Sequence, residues 1–240
     1  MSDSLVAIAR RLTEDLRDLE IHGPVAHVYR PLEYAAATHE AYLRRFGTPP
    51  KEVVLVGMNP GPWGMAQTGV PFGEISAVRE WMGLDGPIGR PRHPHPKKPV
   101  TGLACPRSEV SGARLWGWAR DTFGCPEAFF RRYFVANYCP LLFLDEGGRN
   151  LTPDRLPAQV RTELESACDR ALRATVETLA PRLVVGVGAW AETRARHALR
   201  DLDVQIGRIL HPSPASPAAN RGWADAAAAE LARLGAPTSA

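Results

Sequence analysis

The chain has 240 residues, of which 45% are hydrophobic and 23% charged, with a formal net charge of +3 and a pI of about 8.8. These values are ordinary for a globular protein, and we expect one domain over residues 1–240. The mildly basic charge permits a polyanionic partner but does not require one. No segment approaches the ~18 to 20 apolar residues of a membrane span, and the charged N-terminus is unlike a signal peptide. We therefore expect an intracellular protein without membrane contact.

The cysteines are Cys105, Cys125, Cys139 and Cys168. They form no C-x-x-C pair, and their spacing suits neither a zinc site nor a disulfide framework. We expect free thiols in a reducing compartment and predict no metal and no cofactor. An iron–sulfur cluster could use four scattered cysteines, but only their number favours it.

Helices and strands are predicted to alternate along the chain. An amphipathic helix covers residues 2–21, a loop follows over 22–32, and a second helix covers 33–46. Residues 52–56 are almost wholly apolar, which is typical of a strand buried on both faces. Residues 85–107 are rich in proline and glycine and predict a loop. The other predicted elements are helices over 109–123, 157–179, 188–200 and 218–234, and strands over 133–138, 183–187 and 204–210.

This alternation predicts a single α/β domain with a mainly parallel, central four-stranded sheet flanked by helices in three layers, α/β/α. Ligands of such sheets bind at the carboxyl ends of the strands. Three predicted strands end at or near a polar residue: Asn59, Asn137 and His211. We expect these side chains to converge on one site.

The first polar segment is Gly57-Met58-Asn59-Pro60-Gly61-Pro62. Proline fixes φ and glycine permits close backbone approach, so the segment predicts a rigid turn that presents Asn59 and nearby amides. It matches no phosphate-binding motif. Taken alone, it could equally be a strand-exit turn.

Three further residues have both a functional and a structural interpretation. Phe72, between proline and glycine, could stack on a planar ring or simply fill the core. Asn137 could read the edge of a base, since an amide has one acceptor and two donors, or it could cap a strand. His211 begins the proline-rich segment His-Pro-Ser-Pro-Ala-Ser-Pro and could stabilise a developing negative charge, or it could lie in a surface turn.

Together, in this order, these segments closely resemble the single-strand-selective monofunctional uracil-DNA glycosylase family of the uracil-DNA glycosylase superfamily. The most specific run is GMNPGPWGMAQTGVPFGEISAVREW, and FFRRYFVANYCPLLFL and LHPSPASPAANRGW also resemble the family. The resemblance covers roughly residues 30–235. Trp63 is a conservative departure, because the family pattern has phenylalanine there.

The resemblance implies a monofunctional base excision repair enzyme that uses neither a metal nor a cofactor. It would hydrolyse the bond between sugar and base of uracil and C5-modified uracils, such as 5-hydroxymethyluracil, in single- and double-stranded DNA, leaving an abasic site. It further implies that Asn59 holds the catalytic water and His211 stabilises the leaving pyrimidine anion. The implied substrate-binding residues are Met58, Gly61 and Met65 beside pyrimidine C5, Phe72 stacked on the base, and Asn137 at its edge.

The chemistry of these residues agrees with the implied roles. One amide can pair with both O4 and N3–H of uracil, whereas cytosine presents the reverse pattern and would leave buried groups unpaired. The amide of Asn59 does not titrate near neutral pH, so we expect it to position water and not to act as a base. A donor such as His211 at the uracil O2 would lower the barrier to bond breakage.

A basic surface is predicted to bind DNA phosphates. Its residues are Arg90, Arg92, Lys97, Lys98 and Arg114, with His93, His95 and Arg107 among them and Glu109 as the only opposing charge. A second DNA contact is expected from residues 212–221, as a wedge that fills the space left by a flipped base. Its candidates are Pro212, Ser213, Pro214, Ser216, Asn220 and Arg221. Each basic residue alone could equally belong to a solvated loop.

Other functions remain open at this stage. A mismatch-directed uracil/thymine glycosylase of the same superfamily also uses an asparagine turn, but the GMAQTGVPFG and HPSP runs argue against it. A non-catalytic module for damaged DNA would need no water-positioning amide, and an unrelated hydrolase would lack its usual motifs.

We expect a monomer without an obligatory protein partner. The composition, rich in alanine, arginine and proline, favours a bacterial source. We therefore expect the cytoplasm and its nucleoid as the location, or the nucleus if the source is eukaryotic.

Overall fold

The computed structural model describes residues 2–239, with side chains from residue 4 onward. Met1 and Ala240, which the predicted domain includes, lie outside the described residues. The helices are α1 (Ser2–Asp15), α2 (Pro31–Tyr34), α3 (Ala36–Phe46), α4 (Met65–Thr68), α5 (Val110–Phe123), α6 (Pro126–Arg132), α7 (Ala158–Leu179), α8 (Ala189–Ala198) and α9 (Trp223–Arg233). The strands are β1 (His27–Tyr29), β2 (Val53–Gly57), β3 (Tyr133–Asn137), β4 (Leu142–Leu144), β5 (Asn150–Leu151), β6 (Leu183–Val187) and β7 (Gln205–Ile209).

The central sheet has four parallel strands in the order β3-β2-β6-β7. Every residue of β2 and β6 is buried, as their unbroken apolar sequences predict for strands covered on both faces. Around the sheet, α7 packs against α1 and α8, and α5 packs against α6 and α9. The predicted α/β class and four-stranded parallel sheet are confirmed.

Several predicted helix boundaries are wrong. The first helix ends at Asp15 and not at residue 21. The carbonyl of the next residue, Leu16, accepts a hydrogen bond from Nη1 of Arg30 at 2.6 Å. The second helix is divided at Ala35, whose φ of −116° is not helical. The last begins at Trp223 and not at residue 218, because Gly222 has a φ of +128°. The other predicted helices and strands agree to within two residues.

A second, antiparallel sheet in the order β1-β4-β5 is missing from the sequence-based prediction. Its first strand lies in residues 22–32, which were predicted as a loop. Val28 pairs with Phe143, more than a hundred residues along the chain. Strands of two or three residues carry no readable alternation, so only this tertiary pairing creates them. Helix α6 was also not predicted.

Among residues 2–239, no helix has the length and apolarity needed to cross a membrane. Cys105, Cys139 and Cys168 are buried and Cys125 is exposed, and all four are free thiols. Within the same residues, no three histidine, cysteine or acidic side chains come together as a possible metal site.

Candidate active site

Three polar residues converge at the carboxyl edge of the central sheet. Asn59 follows β2 by two residues, Asn137 is the last residue of β3, and His211 follows β7 by two residues. All three line one cavity of about 510 Å³, as do Met58, Gly61 and Phe72. The parallel sheet therefore gathers side chains that are up to 152 positions apart in the sequence.

Gly57 allows the base-recognition candidates to approach one another. In the sheet it pairs with Asn137. A Cβ at Gly57 would overlap the Asn137 Oδ1 and lie 2.5 Å from Cε2 of Phe72. Because no side chain fills this position, the amide and the aromatic ring border the same space.

Phe72 adopts a backbone conformation that is unusual for a bulky residue. Its φ is +53°, in the left-handed region. Trp116 on α5 fixes the segment by donating from Nε1 to the Phe72 carbonyl at 2.9 Å. A residue held in a strained conformation at a cavity wall favours the stacking interpretation over simple core filling.

The amide of Asn137 has a weak partner on one side. Its Nδ2 donates to the Met65 Sδ at 3.2 Å, and Met65 is buried at the start of α4. Since a thioether is a poor acceptor, this donor can exchange its bond for one to a ligand carbonyl. Met65 therefore lies behind Asn137, although it does not line the 510 Å³ cavity.

The side chain of Asn59 is oriented by the segment that follows β3. Its Nδ2 donates to the Leu141 carbonyl at a long 3.4 Å. This bond uses a donor and leaves Oδ1 as the acceptor that can hold a water molecule.

His211 is held as a hydrogen-bond donor toward the cavity. Its Nδ1 accepts a bond from the Ser213 backbone N–H at 3.0 Å, which places the proton of a neutral ring on Nε2. Burial lowers the pKa of His211 below its usual value, so the ring is neutral at neutral pH. The His211 and Phe72 ring centroids are 6.3 Å apart.

Glu109 is not the opposing surface charge that the sequence suggested. Its carboxylate packs against the turn over residues 57–62 that contains Asn59, here called the asparagine turn, and against Gly64 just beyond it. Cβ atoms at Gly61 and Gly64 would overlap Oε1 and Oε2 of Glu109 respectively. Although the residue as a whole is half-buried, Oε2 is inaccessible and has no hydrogen-bond partner among the described residues. Burial, and secondly the nearby Glu74 carboxylate, raise the pKa of Glu109 to about 7.

We predict that Glu109→Gln stabilises the protein more at pH 8 than at pH 5. A carboxyl whose folded pKa is raised from 4.5 to about 7 stabilises the fold fully below pH 4.5 and loses this contribution as the pH rises through 7. The loss amounts to about 3 kcal/mol, a cost that the neutral amide avoids. Urea unfolding at both pH values measures it, with exposed Glu80→Gln as the control. An equal stability difference at the two pH values would contradict the prediction.

The loop over residues 85–107, here called the basic loop, is only partly exposed. Arg90, Arg92 and Lys97 are exposed. Lys98 and Arg107 lie over the ring of Trp63, at 4.8 and 4.5 Å from its centroid, beside the cavity that Trp63 lines. Two of the predicted neighbours differ: His93 is exposed, but His95 is 3% exposed and its Nε2 contacts the Glu146 carbonyl at 2.9 Å. His95 therefore stabilises the loop and does not belong to the surface.

Arg114 braces the proline-rich segment. It donates from Nη1 to the Pro212 carbonyl at 3.0 Å and from Nη2 to the Asn220 Oδ1 at 2.8 Å. The Asn220 Nδ2 in turn donates to the Pro214 carbonyl at 2.9 Å. Of the other wedge candidates, Pro212 is buried, Ser213 and Ser216 are half-buried, and Pro214 and Arg221 are exposed. The segment is thus a stiff loop with an exposed tip.

Gln67 holds two segments of the site together, a role that the sequence analysis did not predict. The side chain is fully buried on α4 and donates to the carbonyls of Pro62 and Pro99, at 2.9 and 3.0 Å. Its Oε1 accepts from the Thr101 N–H at 2.9 Å. Gln67 therefore joins the asparagine turn to the basic loop. No local signal announces this role, because two of its partners lie more than 30 residues away.

Comparison with known proteins shows the family to which the chain belongs. A family model of the uracil DNA glycosylase superfamily matches residues 45–232. Single-strand selective monofunctional uracil DNA glycosylases from Bos taurus and Mus musculus are each 55% identical over 227 residues, which is 94% of this chain and 84% and 81% of theirs. The crystal structure of Pedobacter heparinus SMUG2 is similar in fold, with a TM-score of 0.66 at 17% identity, over 95% of this chain and 98% of that one. The chain therefore belongs to the uracil DNA glycosylase superfamily and, within it, to the family of single-strand selective monofunctional uracil DNA glycosylases.

Proposed function

We propose that this protein excises uracil and C5-modified uracils, including 5-hydroxymethyluracil, from single- and double-stranded DNA. Monofunctional uracil-DNA glycosylase activity follows from its family. The range of bases and strands is our extension. The observation that supports the proposed base excision is the cavity shared by Asn59, Phe72, Asn137 and His211 at the carboxyl edge of the sheet.

Base recognition would begin with a nucleotide turned out of the DNA stack, at a cost of a few kcal/mol. In our proposal the flipped base stacks on Phe72, and Asn137 pairs with its O4 and N3–H. The Asn137 Nδ2 then donates to O4 of the base instead of to the Met65 Sδ. Cytosine would leave the amide mispaired, which favours uracil strongly. Met58 and Gly61 border the remaining C5 edge.

Hydrolysis would proceed through an oxocarbenium-like transition state. The bond from C1′ to N1 breaks, and its electron pair leaves with the pyrimidine as an anion. His211 donates from Nε2 to O2 and stabilises this charge. The water held by Asn59 adds to C1′ and loses a proton, so the products are the free base and an abasic site.

DNA would lie across the cavity mouth. Exposed Arg90, Arg92 and Lys97 supply charge for phosphates, together with Lys98 beside Trp63. The tip of residues 212–221 would fill the gap left by the flipped base, and the hydrogen bonds from Arg114 to this segment would keep it stiff. We propose that the enzyme acts as a monomer wherever the cell keeps its DNA.

The proposal is tested by a glycosylase assay in EDTA. An end-labelled oligonucleotide with one central uracil, single-stranded or paired, is incubated with protein and then treated with or without hot alkali. We expect strand cleavage only after alkali. Cleavage without alkali would contradict a monofunctional enzyme. The duplex is prepared with uracil opposite adenine and, separately, mismatched with guanine. No cleavage of any of these substrates would favour the silent DNA-binding module, and activity confined to the mismatched duplex would favour the mismatch-directed alternative.

We predict that Gly57→Ala lowers the rate constant of uracil excision by about 100-fold, because displacing reacting groups by ~1 Å costs this much. The added methyl group would occupy the space between Asn137 and Phe72. Gly117→Ala is the matched control, since a Cβ there meets nothing within 4 Å. Single-turnover kinetics on a uracil oligonucleotide measure both. A Gly57→Ala enzyme as fast as the control would remove Asn137 and Phe72 from base recognition.

A further inference from the structure

Two positively charged side chains of the basic loop lie over a single aromatic ring at the edge of the cavity. The Nζ of Lys98 is 4.8 Å and the Cζ of Arg107 is 4.5 Å from the centroid of the Trp63 ring. Because both distances end at the same centroid, the two charges lie close together. Trp63 is half-buried and lines the cavity that also contains Asn59 and His211. The pair of cations therefore borders the place where a base would enter.

No carboxylate neutralises this pair among the residues that the structure describes. Glu109 is the closest acidic residue in the sequence, but its carboxylate packs against Gly61 and Gly64 and pairs with neither cation. Burial, and secondly the positive charge of Arg107, lower the pKa of Lys98 below its usual value. Like charges that are held together repel each other unless an anion lies beside them. A protein that keeps two cations together without an acidic partner is thus suited to bind an anion there.

A buried amide fixes the backbone on both sides of this contact. Nε2 of Gln67 donates to the carbonyls of Pro62 and Pro99, at 2.9 and 3.0 Å. These prolines are the direct neighbours in sequence of Trp63 and Lys98 respectively. Groups that are already in place lose less conformational freedom when a ligand binds. The ring and the lysine therefore belong to a preformed site.

The anion that fits this site is a backbone phosphate of DNA. Ammonium and guanidinium groups are the side-chain groups that most often contact phosphate oxygens in protein–DNA complexes. Since Trp63 lines the cavity that would take the flipped base, the nearest phosphate belongs to the strand that carries this base. Tryptophan binds cations more strongly than other aromatic side chains, and it stands where the family pattern has phenylalanine.

We propose that Lys98 and Arg107 together bind one phosphate next to the flipped nucleotide, with Trp63 as the positioning residue that holds both cations in place. This inference rests on the proposed function and deepens it, because it assigns one defined phosphate. The other cations of the basic loop supply charge without a defined position. Since the bound phosphate lies in the strand that carries the base, the site serves single- and double-stranded DNA alike.

The test neutralises the backbone phosphates one at a time. Single-stranded oligonucleotides carry a stable abasic-site analogue, tetrahydrofuran, and one uncharged methylphosphonate, at a different position near the analogue in each oligonucleotide. Fluorescence anisotropy gives the dissociation constants of the wild type and of Lys98→Met/Arg107→Met. Arg90→Met/Arg92→Met removes the same charge from the same loop and is the matched control. Binding to the analogue needs no catalysis, so absence of base excision in the glycosylase assay would overturn the proposed function and leave this result standing.

For the wild type we expect a methylphosphonate at one position to weaken binding by about tenfold, as loss of a charge-assisted contact does. In Lys98→Met/Arg107→Met the same methylphosphonate should cause no further loss, because its partners are already gone. The control should bind all oligonucleotides more weakly but keep the loss at that position. Equal effects at all positions in the wild type would overturn the proposal, as would a positional loss that persists in Lys98→Met/Arg107→Met.

Two variants of Trp63 test the part played by the ring. Trp63→Phe keeps an aromatic face for the cations and should keep the positional loss, whereas Trp63→Leu should lose most of it. A ring that only fills space would make the two variants equal in this scan. A positional loss that stays complete in Trp63→Leu would overturn the assignment of Trp63 as the positioning residue.

Discussion

Replacing His211 by alanine is expected to lower the single-turnover rate constant of uracil excision by about 100- to 1,000-fold, as removal of one preorganised donor to a developing anion typically does. The Ser213 N–H holds the ring so that Nε2 carries the proton, and burial keeps the ring neutral. A neutral donor already in place needs no reorganisation as negative charge develops on O2.

One binding measurement and one control variant separate this role from a general loss of DNA binding. The variant should bind DNA with an abasic site about as well as wild type in fluorescence anisotropy, because in our proposal His211 acts on the leaving base. Exposed His22→Ala controls for loss of an imidazole elsewhere in the protein. Wild-type turnover by His211→Ala would exclude His211 from catalysis.

The second large effect is expected for Asn59→Ala, which we predict to slow excision by about 100-fold through loss of water positioning. The Asn59 amide is oriented by its bond to the Leu141 carbonyl, and it cannot act as a base. The alanine variant should still bind DNA containing uracil, since Phe72 and Asn137 remain.

The measurement is again single-turnover kinetics on a uracil oligonucleotide, with anisotropy for binding. Exposed Gln159→Ala is the control for loss of an amide side chain. If Asn59→Ala kept the wild-type rate, the water would be held by another group of the cavity, and Asn59 would return to its simpler interpretation as a turn residue.

The central sheet could be predicted because its signals are local. The runs at 53–57 and 183–187 are apolar without alternation, which is what strands covered on both faces require. The site followed from the same signals. Once parallel strands were predicted, Asn59, Asn137 and His211 had to meet at one edge of the sheet.

The elements that were missed or misplaced depend on distant partners. Strand β1 exists because it pairs with β4, and α1 ends where Arg30 meets Leu16. Likewise, His95 was predicted to lie in the basic surface, but two distant residues hold it in a buried position. Its backbone N–H donates to the Tyr29 hydroxyl, and its Nε2 contacts the Glu146 carbonyl. No window of the sequence around these residues contains that information.

By itself, the sequence determined the α/β class, the parallel sheet and the residue types that gather at its carboxyl edge, because hydrophobic periodicity and turn chemistry act over a few neighbouring residues. Only the tertiary structure decided that the Glu109 carboxyl lies buried against the asparagine turn, and that Arg114 braces residues 212–221. Burial and ionisation depend on which groups surround a side chain, and those groups come from segments that are far apart until the chain folds.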